Sequence, residues 1–380
     1  MKKRKTNIEL LRVLSMFLVI MIHLMTKTSV LWEMNPGQPV YYISWFLYAL
    51  CMTGVNCYVL ISGYFWEETK FRFEKLLQIY FQVLFYSITI ALVLYACKVE
   101  LKSSWADVFL PITSSEYWFA TIYIGLYCFA PYLALIIQNM EEKPYRRLLL
   151  LLGVLFSVIP TFLHKDGWLN EGGAYGIVWF IYLYLIGGYL RKYYADGKKK
   201  AGWYYLVSIL VIPLCKFAVL FVGRIGFVSR ILREEIIFKI SEIFYSFNAL
   251  PALCASVFLF CFFCSVQIKN EKLAKGIQFT GGLTFGIYLV HNNRNLAHVL
   301  WEGVRINDWL VERENILAIL GIWIGVFIVC GAVEFVRQRL FQWLGINTLI
   351  RGIAGFLDRV VRKALDFLPE ETEQPDRKES

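Results

Sequence analysis

The stretch that decides the fold is the first apolar run. Residues 6–27 read TNIELLRVLSMFLVIMIHLMTK, and Glu9, Arg12 and His23 interrupt it. Ionisable side chains inside a membrane span are costly and face protein or a water-filled cavity, so they mark a functional site. Arg12 and His23 are eleven residues apart, about three turns of α-helix, so both project from one face, roughly 16 Å apart along the axis. Glu9 can pair with Arg12 three residues later.

The composition indicates a membrane protein. The 380 residues are 58% hydrophobic, 17% aromatic and 18% charged, with a mean hydropathy of +0.53, which is typical of polytopic helical membrane proteins. The net charge is +10, but the basic residues lie in short loops between apolar runs, so we predict no nucleic-acid partner. The charged first run has no small-residue cleavage site, so we predict a retained helix and not a signal peptide.

Ten apolar runs approach the length of about 20 residues that a bilayer requires. We therefore predict an all-α fold, a polytopic transmembrane helical bundle of about ten helices. The predicted spans lie near 8–26, 41–65, 76–97, 118–139, 148–164, 175–191, 202–222, 241–265, 278–300 and 315–336. We assign residues 1–340 to one transmembrane domain and 341–380 to a cytoplasmic tail. The tail begins with an amphipathic helical pattern up to residue 368 and ends in a polar segment typical of disorder.

The basic residues predict the orientation. Ten spans place both termini on one side, and the positive-inside rule makes that side cytoplasmic. Basic residues are dense there, at Lys2, Lys3, Arg4, Lys5, Lys70, Arg72, Lys75, Lys143, Arg146, Arg147, Arg191, Lys192, Lys198, Lys199, Lys200, Lys269, Lys272, Lys275 and in the tail. The other side carries Lys27, Lys98, Lys102, Lys165, Arg305 and Arg313, and one exceptional loop carries Arg224, Arg230, Arg233 and Lys239. We predict a multi-pass protein of the cell membrane, embedded in the lipid bilayer, with both termini cytoplasmic.

Two further patterns bear on the site. Residues 291–295 form a polar run in the ninth predicted span, and such a run must face a cavity or other protein groups. Cys261 and Cys264 have the spacing of metal ligands, but no second Cys or His pair accompanies them. We interpret these cysteines as packing residues and predict no metal site.

Four motifs, in this order, resemble the acyltransferase 3 family of integral-membrane acyltransferases over roughly residues 5–340. Residues 7–23 resemble the family's first helix, with an Arg, ten intervening residues and a His. Residues 61–65, Ile-Ser-Gly-Tyr-Phe, resemble its second-helix signature. The fourth span resembles a tryptophan-led pattern in Trp118, Phe119, Tyr123, Tyr127 and Pro131. Residues 286–291, Gly-Ile-Tyr-Leu-Val-His, resemble its late Gly-Ile-Tyr-Leu-x-His stretch.

This resemblance implies O-acylation, usually O-acetylation, of a hydroxyl on a surface polysaccharide or related acceptor. The donor substrate would be a cytoplasmic acyl-CoA, in most cases acetyl-CoA, with no bound cofactor. The family's catalytic His and Arg map onto His23 and Arg12. Its Arg-x-x-Arg pair maps onto Arg72 and Lys75, where Lys keeps the charge but loses the bidentate fork. Our further substrate-binding candidates are Glu9, Ser62, Trp118, Tyr288 and His291.

The sequence allows a mechanism and leaves alternatives open. The basic candidates Arg12, Arg72 and Lys75 would attract the phosphates of CoA. The pantetheine arm would rise along the face between Arg12 and His23. His23, with an unperturbed pKa near 6.5, would act as general base on the acceptor hydroxyl, or would itself form an acyl-histidine.

Each candidate also has a structural interpretation. His23 and His291 would be packing histidines, Arg12 an interfacial anchor, Ser62 a small packing residue and Trp118 a membrane-belt residue. Arg72 and Lys75 would be ordinary topology charges. Besides the enzyme, the spans suit a multi-pass transporter of a polar solute, although we find no inverted repeats, or a membrane sensor or scaffold.

Overall fold

The computed structural model describes residues 5–28, 30–68, 70–114, 116–163, 169, 172–194, 198–225, 233–303 and 316–366. Within these ranges the regular elements are helices and no strand is present. The predicted span 148–164 ends at a residue outside these ranges, and the predicted span 315–336 begins at one. The predicted disordered end, residues 369–380, and the loop residues Lys165, Arg230, Arg305 and Arg313 also lie outside the described part.

The helices follow one another in a single continuous bundle. In the first half they are α1 (Thr6–Lys27), α2 (Val30–Glu33), α3 (Pro39–Cys51), α4 (Gly54–Tyr64), α5 (Phe73–Ala96), α6 (Trp105–Phe109), α7 (Trp118–Asn139), α8 (Glu142–Gly153), α9 (Ile159–Leu163) and α10 (Ile177–Tyr193). In the second half they are α11 (Ala201–Gly223), α12 (Glu234–Ser241), α13 (Leu250–Ser265), α14 (Glu271–Gly281), α15 (Thr284–His291), α16 (Arg294–Gly303), α17 (Ile316–Trp343) and α18 (Ile346–Asp366). Short 3₁₀ turns cover Trp66–Glu68 and Gly173–Tyr175, and a π-helical turn covers Val154–Val158 between α8 and α9.

The predicted helical membrane bundle is confirmed. Among the described residues, seven helical stretches are long and apolar enough to cross a membrane, and α13 is a shorter apolar helix. The seven are Thr6–Lys27, Pro39–Tyr64, Phe73–Ala96, Trp118–Asn139, Glu142–Leu163, Ala201–Gly223 and Leu317–Trp343. Three of the ten predicted spans are absent from these seven: 241–265 and 278–300 are interrupted, and 175–191 forms the 17-residue helix α10.

The interruptions have local causes. The predicted span 278–300 is three helices, since α14 ends before Gly282 and a new helix begins after Asn293. The Asn293 side chain accepts from the backbone N–H groups of Asn295 and Leu296, both at 3.0 Å, as a helix N-cap does. The predicted span 41–65 breaks between Cys51 and Gly54, and the span 241–265 becomes helical only from Leu250. Hydropathy averaged over a window does not detect such breaks.

Helix α1 lies at the centre of the bundle. It packs against α3, α4, α13, α14, α15 and α17, and 67% of its apolar window is buried, compared with 28% for α5 or α11. Its polar side chains therefore meet protein on most sides and not lipid. This placement satisfies the condition under which ionisable residues are tolerated in a span.

Close glycine contacts fix the helix that carries the second motif. A methyl group added at Gly63 would overlap the carbonyl of Tyr184, and one added at Gly187 would overlap the carbonyl of Leu60. Small residues at such points let two membrane helices approach closely, so α4 and α10 are held in one register. A buried amide adds to this, because Asn56 accepts from the Trp179 indole at 3.1 Å.

The late motif is held in the same way. A side chain at Gly286 would overlap the carboxylate of Glu334 on α17. Glu334 is 1% exposed and accepts from the Tyr86 hydroxyl at 2.7 Å and from the Gln82 amide at 3.2 Å, while Arg337 pairs with it. This buried cluster fixes α15 between α5 and α17, and so determines where His291 projects.

Candidate active site

A cavity of about 370 Å³ opens beside the second half of α1. Nearly half of its lining residues are aromatic, among them Tyr58, Trp118, Phe119 and Tyr288, and His23 forms part of its wall. Ligand sites are typically concave and mostly apolar, with a few placed polar groups. This cavity has that character, and its volume lies at the small end of such sites.

Two histidines from distant motifs meet at this cavity. His23 Nδ1 lies 3.0 Å from His291 Nε2, and His291 Nδ1 lies 2.6 Å from the carbonyl oxygen of Ile287. His291 is fully buried, whereas His23 keeps accessible surface because it lines the cavity. The structure thus brings the catalytic candidate of the first motif into hydrogen-bond contact with the last residue of the late motif.

The polar run after His291 is accounted for by protein contacts. Asn292 lines the cavity, and Asn293 caps α16 and also donates to the Tyr117 hydroxyl at 2.6 Å. Asn295 accepts from the backbone of Lys102 and Ser103 at 2.7 and 2.9 Å. Apart from Arg294, which is exposed, the run therefore faces the cavity and the protein interior, which explains why an apolar segment contains it.

The other end of α1 carries an ion pair. Arg12 Nη1 donates to both carboxylate oxygens of Glu9, at 2.7 and 2.9 Å. Glu9 is 4% exposed and lies against Gly281, while the Arg12 side chain is 25% exposed. Among the described residues, Nη1 makes the Arg12 contacts, so Nε and Nη2 are available to an anionic ligand.

Arg12 does not line the cavity that contains His23. Tyr58 connects the two regions, since it lines the cavity and interacts electrostatically with both Arg12 and Glu9. The charges of Arg12 and Glu9 thus act on a side chain of the cavity wall, although Arg12 is not part of that wall.

Ser62 of the second motif and the basic pair after it contact tyrosines of α7. Ser62 Oγ is 3.1 Å from the Tyr123 hydroxyl. One turn further along α7, the Tyr127 hydroxyl accepts from the backbone N–H of Arg72 at 3.0 Å, and Lys75 Nζ lies 5.0 Å from the centre of the Tyr127 ring. Arg72 and Lys75 are exposed, and neither lines the cavity. Because α7 begins at Trp118 in the cavity wall, this one helix connects the cavity to the basic pair.

Two tyrosine hydroxyls in the cavity wall form no well-aligned hydrogen bond with the described residues. The hydroxyls of Tyr58 and Tyr288 are buried and meet the geometric criteria for no such bond, although Thr284 interacts with the Tyr58 hydroxyl and Asn292 with that of Tyr288. Buried polar groups are normally satisfied, and an exception calls for an explanation. Both rings line the cavity, so a ligand bound there would lie close to these hydroxyls. Tyr288 was predicted, whereas Tyr58 was missed, although it lies one helical turn before Ser62.

No group of three or more His, Cys, Asp and Glu side chains comes together in the described ranges to hold a metal ion.

A family model described as an acyltransferase domain matches residues 5–335, nearly the whole chain. No curated protein and no solved structure matches the chain. The matched range contains all four motifs, the cavity and the ion pair of α1. The chain belongs to the acyltransferase 3 family and is a multi-pass membrane acyltransferase.

Proposed function

We propose that this acyltransferase moves an acetyl or similar acyl group from acyl-CoA to a hydroxyl of a surface glycan or related acceptor. The observation that carries the proposal is His23, which lines an aromatic cavity and is hydrogen-bonded to His291. An imidazole with one nitrogen partnered and its ring open to a cavity is suited to act on a bound hydroxyl. The family membership supports the acyl transfer itself.

The donor would bind at the Arg12 end of α1. In the cell membrane, with both termini cytoplasmic, this end faces the cytoplasm, where acyl-CoA is available. The exposed Arg72 and Lys75 and the free nitrogens of Arg12 would contact the phosphates of CoA. The thin pantetheine arm would pass Ser62 and Tyr58 to reach the cavity. Tyr58 lines the cavity and lies within electrostatic range of Arg12, which supports this route.

His23 would act as the general base. It takes the proton of the acceptor hydroxyl while the hydroxyl oxygen attacks the thioester carbonyl carbon. The carbon–sulfur bond breaks, the CoA thiolate leaves, and the imidazolium returns the proton to the sulfur. The hydroxyls of Tyr58 and Tyr288, in the cavity wall, would donate to the oxyanion that forms on the carbonyl oxygen. An acyl-histidine on His23 is the alternative route to the same products.

The acceptor would lie against the aromatic wall. Rings such as those of Trp118 and Phe119 offer broad, rigid, apolar faces, which suit the apolar face of a sugar ring. The cavity volume of about 370 Å³ suits a small acceptor unit, so we expect a longer glycan to extend out of it. This shape supports a terminal or flexible sugar as the acceptor.

The test uses the full-length protein in lipid nanodiscs with acetyl-CoA, and water takes the place of the acceptor hydroxyl. Release of free CoA thiol is measured for the wild type, His23→Ala and the control His298→Ala, which changes a histidine outside the cavity wall. We expect thiol release from the wild type and the control and loss of it in His23→Ala. In cells, mild base should release ester-linked acetate from surface glycans only with active protein. Equal release of thiol and acetate by His23→Ala would contradict the proposal.

A further inference from the structure

The contact between the two histidines has a defined direction. A backbone carbonyl oxygen only accepts hydrogen bonds, so the 2.6 Å contact with Ile287 requires a hydrogen on His291 Nδ1. In a neutral imidazole the second nitrogen then carries no hydrogen. His291 Nε2 is therefore an acceptor, and the partner 3.0 Å away, His23 Nδ1, must be the donor.

We propose that His291 is a positioning residue that holds His23 in its Nδ1–H tautomer, so that Nε2 of His23 is the nitrogen that accepts the substrate proton. This inference rests on the proposed function, because it names the reactive atom of the same base. It also changes the predicted role of His291 from substrate binding to the orientation of His23.

The opposite direction of the hydrogen bond is unfavourable. For His291 to donate to His23, both of its nitrogens would need hydrogens, and the ring would be a buried cation. His291 is fully buried, with the rings of Tyr288 and Trp301 as neighbours at 6.2 and 6.4 Å between centres. Burial of an uncompensated charge in such surroundings is costly. Lys27 lines the same cavity and would repel that cation.

The arrangement also suits the reaction. When Nε2 of His23 takes the proton, Nδ1 keeps its own hydrogen bond to His291, and neither imidazole ring has to move. His291 in turn stays neutral and is held by the Ile287 carbonyl. A base oriented through its second nitrogen by a third group is the logic of hydrolase triads, here with a neutral imidazole and a backbone carbonyl in place of a carboxylate.

The first test compares three substitutions of His291 by transfer kinetics in nanodiscs. Gln places an amide oxygen near the position of Nε2, Asn reaches only the position of Nδ1, and Met fills the volume without an acceptor. We expect kcat to fall about 100-fold or more in His291→Met and His291→Asn, within the range known for acid–base groups. His291→Gln should keep kcat within about tenfold of the wild type, and the KM for acetyl-CoA should stay unchanged in all three.

The second test reads the tautomer without turnover. The chain has four histidines, so nitrogen NMR of the histidine-labelled full-length protein gives few signals, and His23→Gln and His298→Gln assign them. We expect wild-type His23 to show a protonated Nδ1 and a bare Nε2. In His291→Met we expect His23 to carry its hydrogen on Nε2, or to populate both tautomers. If that variant does not fold, the wild-type spectrum alone decides.

The outcomes separate the two proposals. A wild-type His23 that is protonated at Nε2 would overturn the positioning role, as would a folded His291→Met variant with full kcat. Either result leaves the acyltransferase proposal intact if His23→Ala is inactive. If His23→Ala transfers acetyl groups normally, the proposed base itself fails, whatever the tautomer.

Discussion

The two ends of α1 differ in the partners they give to an ionisable side chain. At the cavity end, His23 is bonded to a neutral imidazole among aromatic rings. At the other end, Arg12 is paired with a buried carboxylate, and the exposed Arg72 and Lys75 follow the helix that carries the second motif. The first environment presents a hydrogen-bonded imidazole to a cavity, whereas the second offers cationic donors that suit phosphate groups. This difference predicts that the cavity end governs kcat and the Arg12 end governs the KM for the donor.

The largest effect should follow from changes at His23. We expect His23→Gln to lower kcat by roughly 1,000-fold, within the range for loss of a general base, while the KM for acetyl-CoA changes little. Steady-state transfer kinetics in nanodiscs measure this, with His298→Gln as the matched control. A mutant with normal kcat but a raised KM would assign His23 to donor binding.

The next effect should come from the hydroxyls of Tyr58 and Tyr288. Removal of one oxyanion donor typically lowers kcat about 100- to 1,000-fold. We expect the decrease in kcat of Tyr288→Phe to lie at the lower end of that range or below it, because Tyr58 would still donate to the oxyanion. Tyr193→Phe is the control, because its hydroxyl donates to the Met140 carbonyl away from the cavity. If both variants keep full kcat, Tyr288 has no part in the chemistry.

At the other end of the helix the effect should move to KM. Arg12 alone is a poor target, because its loss would leave the buried Glu9 unpaired and destabilise the protein. The double variant Glu9→Gln/Arg12→Gln removes both charges together. We expect the KM for acetyl-CoA to rise about tenfold, consistent with loss of a charge-assisted contact, with kcat within threefold. The single variant Glu9→Gln, which keeps the guanidinium, should have a nearly normal KM, and an equal rise there would argue against a phosphate contact.

The smallest effect should come from the exposed basic pair. Exposed charges are screened by salt and contribute little individually, so Arg72→Gln and Lys75→Gln should each raise the KM for acetyl-CoA a few-fold at low salt. The increase should shrink at high salt. Lys75→Arg restores the bidentate fork and should not raise KM. A salt-independent defect would indicate a structural role, such as the contact of Lys75 with the Tyr127 ring.

The helix α1 and the pairing of its polar residues are well predicted from the sequence, because these residues recur at helical spacing within one segment. Glu9 and Arg12 are three residues apart and do pair. The number of long helices was overestimated, since the breaks at Gly282 and Asn293 depend on local backbone contacts that an averaged hydropathy does not register. In the same way, Pro39–Tyr64 is apolar throughout but divides at residues 52–53.

The site was only partly predictable. His23 and His291 are 268 residues apart in the chain, and no spacing rule connects them. Their contact depends on how α15 packs against α1, which Gly286 and Glu334 help to set. The cavity wall also includes Tyr175 and Phe247, which belong to connections between helices and have no periodic pattern. The sequence thus predicts which residues could carry out the chemistry, whereas tertiary packing determines which of them come into contact.

The most direct test of the account is one kinetic comparison of His23→Gln with Glu9→Gln/Arg12→Gln, in nanodiscs, at several acetyl-CoA concentrations. We predict a lower kcat with an ordinary KM for the first variant and an ordinary kcat with a raised KM for the second. If both variants changed the same kinetic parameter to a similar extent, the claim that the His23 end of α1 governs kcat and the Arg12 end governs KM would be contradicted.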